Sequence, residues 1–182
     1  MLFRSIGLVL QGGGALGAYE VGAITKIYEE GYSPAIITGT SIGAVNAAVL
    51  AAPRNGDPIA ALKALWKHLR NDPPFFVPRR FHQLVAGFGH PRFYQMRSDF
   101  LNMDFWPSLY EIEPALATMR KFIDFDYLNS PEAPTVAVTA TNVETGDIEQ
   151  FTNRKNRLSP RHLMASGSLP PGVPDDFYGQ VA

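Results

Sequence analysis

No cysteine occurs in the 182 residues, which excludes disulfides and thiolate metal sites and permits a reducing compartment such as the cytoplasm. An excess of either charge is also missing. Sixteen Lys and Arg stand against 17 Asp and Glu, a formal net charge of -1, so the basic surplus that binds nucleic acid is absent. Short basic pairs such as Arg79-Arg80 read as solvated surface. The four histidines, His68, His82, His90 and His162, are scattered without ligand spacing, and no metal or other cofactor is expected. Long hydrophobic runs are lacking too. The start MLFRSIGLVLQGGGALGA has one Arg and then an apolar stretch, as a signal peptide does, but SIGLVL is too short and breaks on three glycines. Residues 36 to 52, IITGTSIGAVNAAVLAA, carry no charge, yet they contain Gly, Thr, Ser and Asn and stop at Pro53. A buried strand and helix fit that span better than a membrane crossing. The reading is a cytoplasmic protein with peripheral membrane contact at most.

What is present is enough apolar material, 46% of the chain, for one globular domain over residues 1 to 182. IGLVLQ has the continuous apolar character of a strand buried on both faces, and GGGALG follows as a turn. In AYEVGAITKIYEEG, Val21, Ile24, Ile27 and Tyr28 fall on one helical face, with Gly31 as the C-terminal cap. AIIT is a second short strand leading into GTSIG, and AVNAAVLAA is a helix ended by Pro53. Strand, turn, helix repeated twice is the signature of a parallel sheet covered by helices, so the fold class is α/β. Both glycine turns then lie at the carboxyl ends of their strands, the edge where open α/β sheets bind ligands.

Further on, residues 57 to 70 predict an amphipathic helix. Residues 73 to 107 are rich in Pro and aromatics and lack clean periodicity. They read either as an irregular loop packing its own aromatics or as a cap that offers apolar surface to a lipid-like substrate. LATMRKFIDFDYLN predicts a helix after Pro114, and TVAVTATNV a strand. The turn ETGD, with Gly146 at its permissive position, returns the chain into IEQFTN as an antiparallel partner. SPRHLMASGSLP opens a helix with Ser159 at the N-cap and Pro160 at N1.

Gly12-Gly13-Gly14-Ala15-Leu16-Gly17 aligns with G-x-G-x-x-G, but a dinucleotide site also wants an acidic residue near the end of the second strand, and that strand ends in Thr40-Ser41. Free backbone amides at a helix N-terminus hold an oxyanion as well as a phosphate. The second turn would generate one. In G-x-S-x-G, Ser41 sits on a tight strand-to-helix turn where Gly39 and Gly43 avoid clashes and expose the hydroxyl. The Ile42 amide adds to the hole, and the dipole of the helix beginning there favours negative charge. Alone, Ser41 reads more readily as a helix cap. Two glycine turns one βαβ unit apart make the catalytic reading the stronger.

LVLQGGGALGAYEVGAI followed by GTSIGAVNAA resembles the patatin-like phospholipase family, and RHLMASGSLPPGVP resembles that family's helix and proline turn. The resemblance implies a three-layer α/β/α fold and a Ser-Asp dyad without catalytic histidine. It makes Ser41 the nucleophile and Gly12, Gly13 and Gly14 the oxyanion turn, with Gly17, Gly39 and Gly43 as motif glycines. Leu16 stands where many members carry Arg or Lys, which removes a charge but no backbone donor. The family's aspartate sits in an Asp-Gly-Gly or Asp-Gly-Ala motif, and no Asp-Gly pair occurs here. Asp175 and Asp176 belong to the loop before that motif, and His162 on its helix reads as a surface residue. The aspartate is therefore expected beyond residue 182, from a downstream segment or a second polypeptide. The implied activity is hydrolysis of lipid or other acyl esters, independent of calcium or zinc. Its rivals are a non-catalytic lipid-binding or interaction domain of the same fold and, more distantly, a dinucleotide-binding protein.

Overall fold

The computed structural model describes residues 4–70, 89–90, 92–96, 110–142 and 144–168. Strand β1 (Arg4–Leu10) leads through a short 3₁₀ turn at Gly14–Leu16 into helix α1 (Gly17–Glu29). Gly31, at φ 80°, then turns the chain into β2 (Tyr32–Thr40). Pro34 lies inside β2 without an N–H to give to the ladder, and the pairing slips there: Ile6 faces Pro34 but Gly7 faces Ile36, leaving Ala35 as a bulge.

Helix α2 (Ile42–Ala51) is buried at every position, as befits a helix apolar all round and rich in alanine. Asp57 caps α3 (Pro58–His68) by accepting the Ala60 amide at 2.9 Å. The stretch expected to form one helix after Pro114 is two: α4 (Glu113–Phe122) and the short α5 (Phe125–Leu128). Ile123 leaves the helix to bridge Pro53, and Asp124 caps α5 by accepting the amides of Asp126 and Tyr127. A tertiary pairing thus overrides a continuous helical pattern.

Strands β6 (Thr135–Thr141) and β7 (Ile148–Thr152) complete the sheet in the order β1-β2-β6-β7, the first three parallel and the last antiparallel across the turn at Gly146. Helix α6 (Pro160–Gly167) follows, its Ser159 N-cap closing a capping box with His162. Three short strands, β3 (Gly89–His90), β4 (Tyr94–Met96) and β5 (Tyr110–Glu111), form a separate antiparallel sheet. His90 and Arg92 tie this piece down. The His90 Nε2 bonds the Leu69 carbonyl at 2.7 Å, and Thr118 Oγ1 donates to the Arg92 carbonyl at 2.7 Å.

The crossovers from β1 to β2 and from β2 to β6 step in the same direction, so right-handed connections put their helices on one face of the sheet. Leu10, Ile37, Val136, Val138 and Phe151 bury that face. The opposite face is not buried as IGLVLQ suggested: Val9 is 85% exposed and Ile36 51%. The described residues therefore supply the mainly parallel sheet and one helical layer of the expected α/β fold.

Candidate active site

The two glycine turns meet at the carboxyl edge of β1 and β2. Ser41 follows β2 directly and has φ 55° and ψ -124°, the only non-glycine residue with positive φ among those described. Such backbone costs about 1–3 kcal/mol and persists only where its surroundings enforce it. They do so here through close packing. A Cβ on Gly39 would stand 2.3 Å from the Gly43 carbonyl oxygen, and one on Gly43 would stand 2.5 Å from the Leu10 carbonyl oxygen. No side chain fits at either place. The Ser41 amide, turned away from helical geometry, donates to Ser166 Oγ at 2.7 Å.

Ser41 occupies the N-cap position of α2, but its side chain makes no capping bond. The hydroxyl is therefore free for something else. It faces the first turn: a Cβ on Gly12 would lie 3.2 Å from Ser41 Cβ and 3.9 Å from Oγ. Gly13 and Gly14 take φ 141° and 57°, bending the chain so that it enters α1 at once. The amides of Gly12, Gly13, Gly14 and Ile42 meet no acceptor among the described residues. Gly17 packs its bare α-carbon on Ile42 and Trp66, where a Cβ would come within 2.8 Å of Ile42 Cγ2. All eight residues singled out from the sequence thus converge.

One hydrogen-bonded cluster holds the two turns in register. Asn46, with no exposed surface, donates to Glu20 Oε2 at 2.8 Å and to the Gly17 carbonyl at 3.2 Å, and accepts Trp66 Nε1 at 3.0 Å. The other Glu20 oxygen accepts the Gln11 amide at 3.0 Å, just before the glycines. The sequence contains a signal for this, a lone Asn inside an alanine-rich apolar helix. Its partners on other elements could not be read there.

Beside Ser41 opens a cavity of about 230 Å³ lined mostly by apolar side chains of α2, α3, α4 and α6, together with Phe93 and Tyr94. These two belong to the aromatic-rich segment, so the part of it that is described does line the site; most of residues 73 to 107 lies outside the described residues. Burial pushes the Tyr94 phenol above its ordinary pKa.

His162 does not join Ser41. Its Nδ1 accepts the Ser159 amide at 3.1 Å, its ring stacks edge-on against Phe151 at 5.0 Å, and burial lowers its pKa. It is a capping residue, half-buried rather than on the surface. Asp175 and Asp176 lie outside the described residues, and among the described residues no carboxylate hydrogen-bonds the Ser41 hydroxyl.

A profile of patatin-like phospholipases matches residues 8–180, nearly the whole chain. The chain belongs to the patatin-like phospholipase family. A stretch of 48 residues is 56% identical to Lysophospholipase nte1 of Aspergillus terreus (strain NIH 2624 / FGSC A1156), covering 26% of this chain and 3% of that protein. The crystal structure of VipD from Legionella pneumophila aligns with 92% of this chain and 43% of its own, at 15% identity and a TM-score of 0.47. The patatin-like chain thus spans less than half the length of either. Among its described residues no helix is long and apolar enough to cross a membrane.

Proposed function

We propose that this patatin-like domain is a serine acyl hydrolase acting on fatty-acyl esters of lipids, with Ser41 as nucleophile. The observation that carries the reading is Ser41 itself. It is held in costly backbone geometry, relieved of any capping bond, and set between four uncommitted amides and an apolar cavity. In acylation Ser41 Oγ attacks the ester carbonyl, and the amides of Gly12, Gly13, Gly14 and Ile42 receive the negative charge that develops on oxygen. The dipole of α2 acts in the same sense. The acyl chain occupies the cavity against Val45 and Met119. Water then hydrolyses the acyl-enzyme.

The base is an aspartate outside the described residues, since none of the described carboxylates bonds Ser41. Leu16 and Tyr19, 76% and 85% exposed just past the glycine turn, are the apolar surface that would meet a lipid interface. The test is fluorophosphonate labelling of the purified protein, with intact masses recorded for every polypeptide and a Ser41→Ala control. A serine-dependent adduct is the expected result. No adduct, with fatty-acid binding retained, would favour a non-catalytic lipid-binding domain instead.

A further inference from the structure

The cavity beside Ser41 has four polar side chains in its wall: Ser41, Trp66, His90 and Tyr94. Two of them are committed. Trp66 donates its indole N–H to Asn46, and His90 uses Nε2 on the Leu69 carbonyl and Nδ1 on the Arg92 amide. Tyr94 is not. Its ring lies edge-on to Phe93 at 5.0 Å and against Tyr110 at 6.1 Å, while its hydroxyl makes no hydrogen bond among the described residues. A phenol set in a largely apolar wall with its hydroxyl open to the cavity leaves a donor for a bound ligand to take.

Its position says which part of a ligand that would be. Two glycines flank Ser41. Gly12 marks the side of the oxyanion turn. Gly167, at the end of α6, is the other: a Cβ there would be 3.5 Å from Ser41 Oγ and 3.7 Å from the Tyr94 hydroxyl. A tetrahedral centre on Oγ that directs its oxyanion at the glycine turn therefore presents another substituent towards Gly167 and the phenol. With the acyl chain lying along the Val45 and Met119 part of the cavity wall, that substituent is the departing alcohol.

We propose that Tyr94 is a further catalytic residue of this site, whose hydroxyl donates a hydrogen bond to the bridging oxygen of the scissile ester as that oxygen departs. The proposal rests on the reading of Ser41 as nucleophile. In the step, the Oγ–carbon bond forms and the carbon–oxygen bond to the alcohol breaks. The proton that the base takes from Ser41 passes to the departing oxygen. Tyr94 keeps its own proton throughout, as a phenol does at neutral pH, and burial moves its pKa further in that direction. The site is thereby fitted to esters of poorly departing alcohols, such as a glyceryl oxygen, for which charge on the leaving oxygen matters most.

The experiment compares the full-length protein with its Tyr94→Phe variant on two esters of one acyl chain, a p-nitrophenyl ester and a glyceryl ester, alongside the rate of fluorophosphonate labelling at Ser41. The expected result is selective. Turnover of the glyceryl ester falls by about tenfold or more, as for loss of a donor acting in the transition state, with KM within about threefold. Turnover of the p-nitrophenyl ester and the labelling rate stay within about twofold, because neither leaving group needs the hydrogen bond. An equal fall on both esters, a collapse of labelling in the variant, no change on either ester, or no glyceryl ester turnover by a parent that labels at Ser41 would each overturn the Tyr94 assignment. A parent protein that takes no label at Ser41 would instead overturn the nucleophile reading, and Tyr94 with it.

Discussion

Replacing Asn46 with alanine tests whether the two glycine turns are held in register by a buried amide. Asn46 is wholly buried and makes three hydrogen bonds, to the Glu20 carboxylate, the Gly17 carbonyl and the Trp66 indole. A neutral bond contributes about 1 kcal/mol and one to a charged group about 1.5–3 kcal/mol, while a partner stranded without water costs more. Glu20 and Trp66 are only partly buried and recover some solvation, whereas the Gly17 carbonyl sits in a buried residue and does not. The net loss expected for Asn46→Ala is about 3 kcal/mol, a large share of the roughly 5–15 kcal/mol that holds an ordinary domain together. Urea unfolding should show this as a lower midpoint at unchanged slope. Because the same carboxylate holds the Gln11 amide ahead of Gly12, Ser41 labelling should also slow, even in the folded fraction. Asn46→Asp keeps the acceptor for Trp66 but sets a carboxylate against Glu20, and should be at least as damaging. A loss below about 1 kcal/mol with labelling at the parental rate would show that the cluster decorates the turns and does not position them.

Gly39→Ala forces a methyl to within 2.3 Å of a backbone oxygen, so it should abolish labelling and lower stability by about 3 kcal/mol or more; a labelled, folded variant would refute the elbow packing. Gly22 lies in the middle of α1 with nothing within 4 Å of a Cβ, and Gly22→Ala should raise stability by about 0.5–1 kcal/mol in the same denaturation assay, with esterase activity unchanged. His162 has its pKa lowered by burial, so the unfolded chain takes up a proton near 6.5 before the folded one does. Its stabilising contribution is complete above that value and drains away as pH falls below it. His68 acts in the same direction, lowered first by burial and then by the charges of Lys121, Arg92 and His90. Urea midpoints taken across this range should fall on acidification, and His162→Gln should make the fall shallower without removing it.

Much of the site was legible because it is a matter of local backbone sterics. A serine between glycines after an apolar strand has few conformations open to it, and Gly39, Gly43 and Ser41 lie within five residues of one another. The same holds for the turn at Gly146 and the capped start at Ser159. Burial was less legible. An apolar strand such as IGLVLQ looks alike whether one face or both are covered, and the exposure of Val9 depends on which side of the sheet each crossover takes. The helical pattern through Ile123 was broken by a bridge to Pro53, seventy residues earlier, which no local window contains.

By itself, then, the sequence determined the βαβ frame, the two turns and the serine set on the second, because those follow from φ/ψ limits and apolar spacing within a few residues. Tertiary structure decided what surrounds Ser41. It brought Ser166 to the Ser41 amide across 125 positions, Asn46 to Glu20 and Trp66, and Tyr94 to the cavity beside the nucleophile. These meetings depend on how whole elements pack on a shared sheet face. The hydrogen bonds that mark them exist only once that packing has formed.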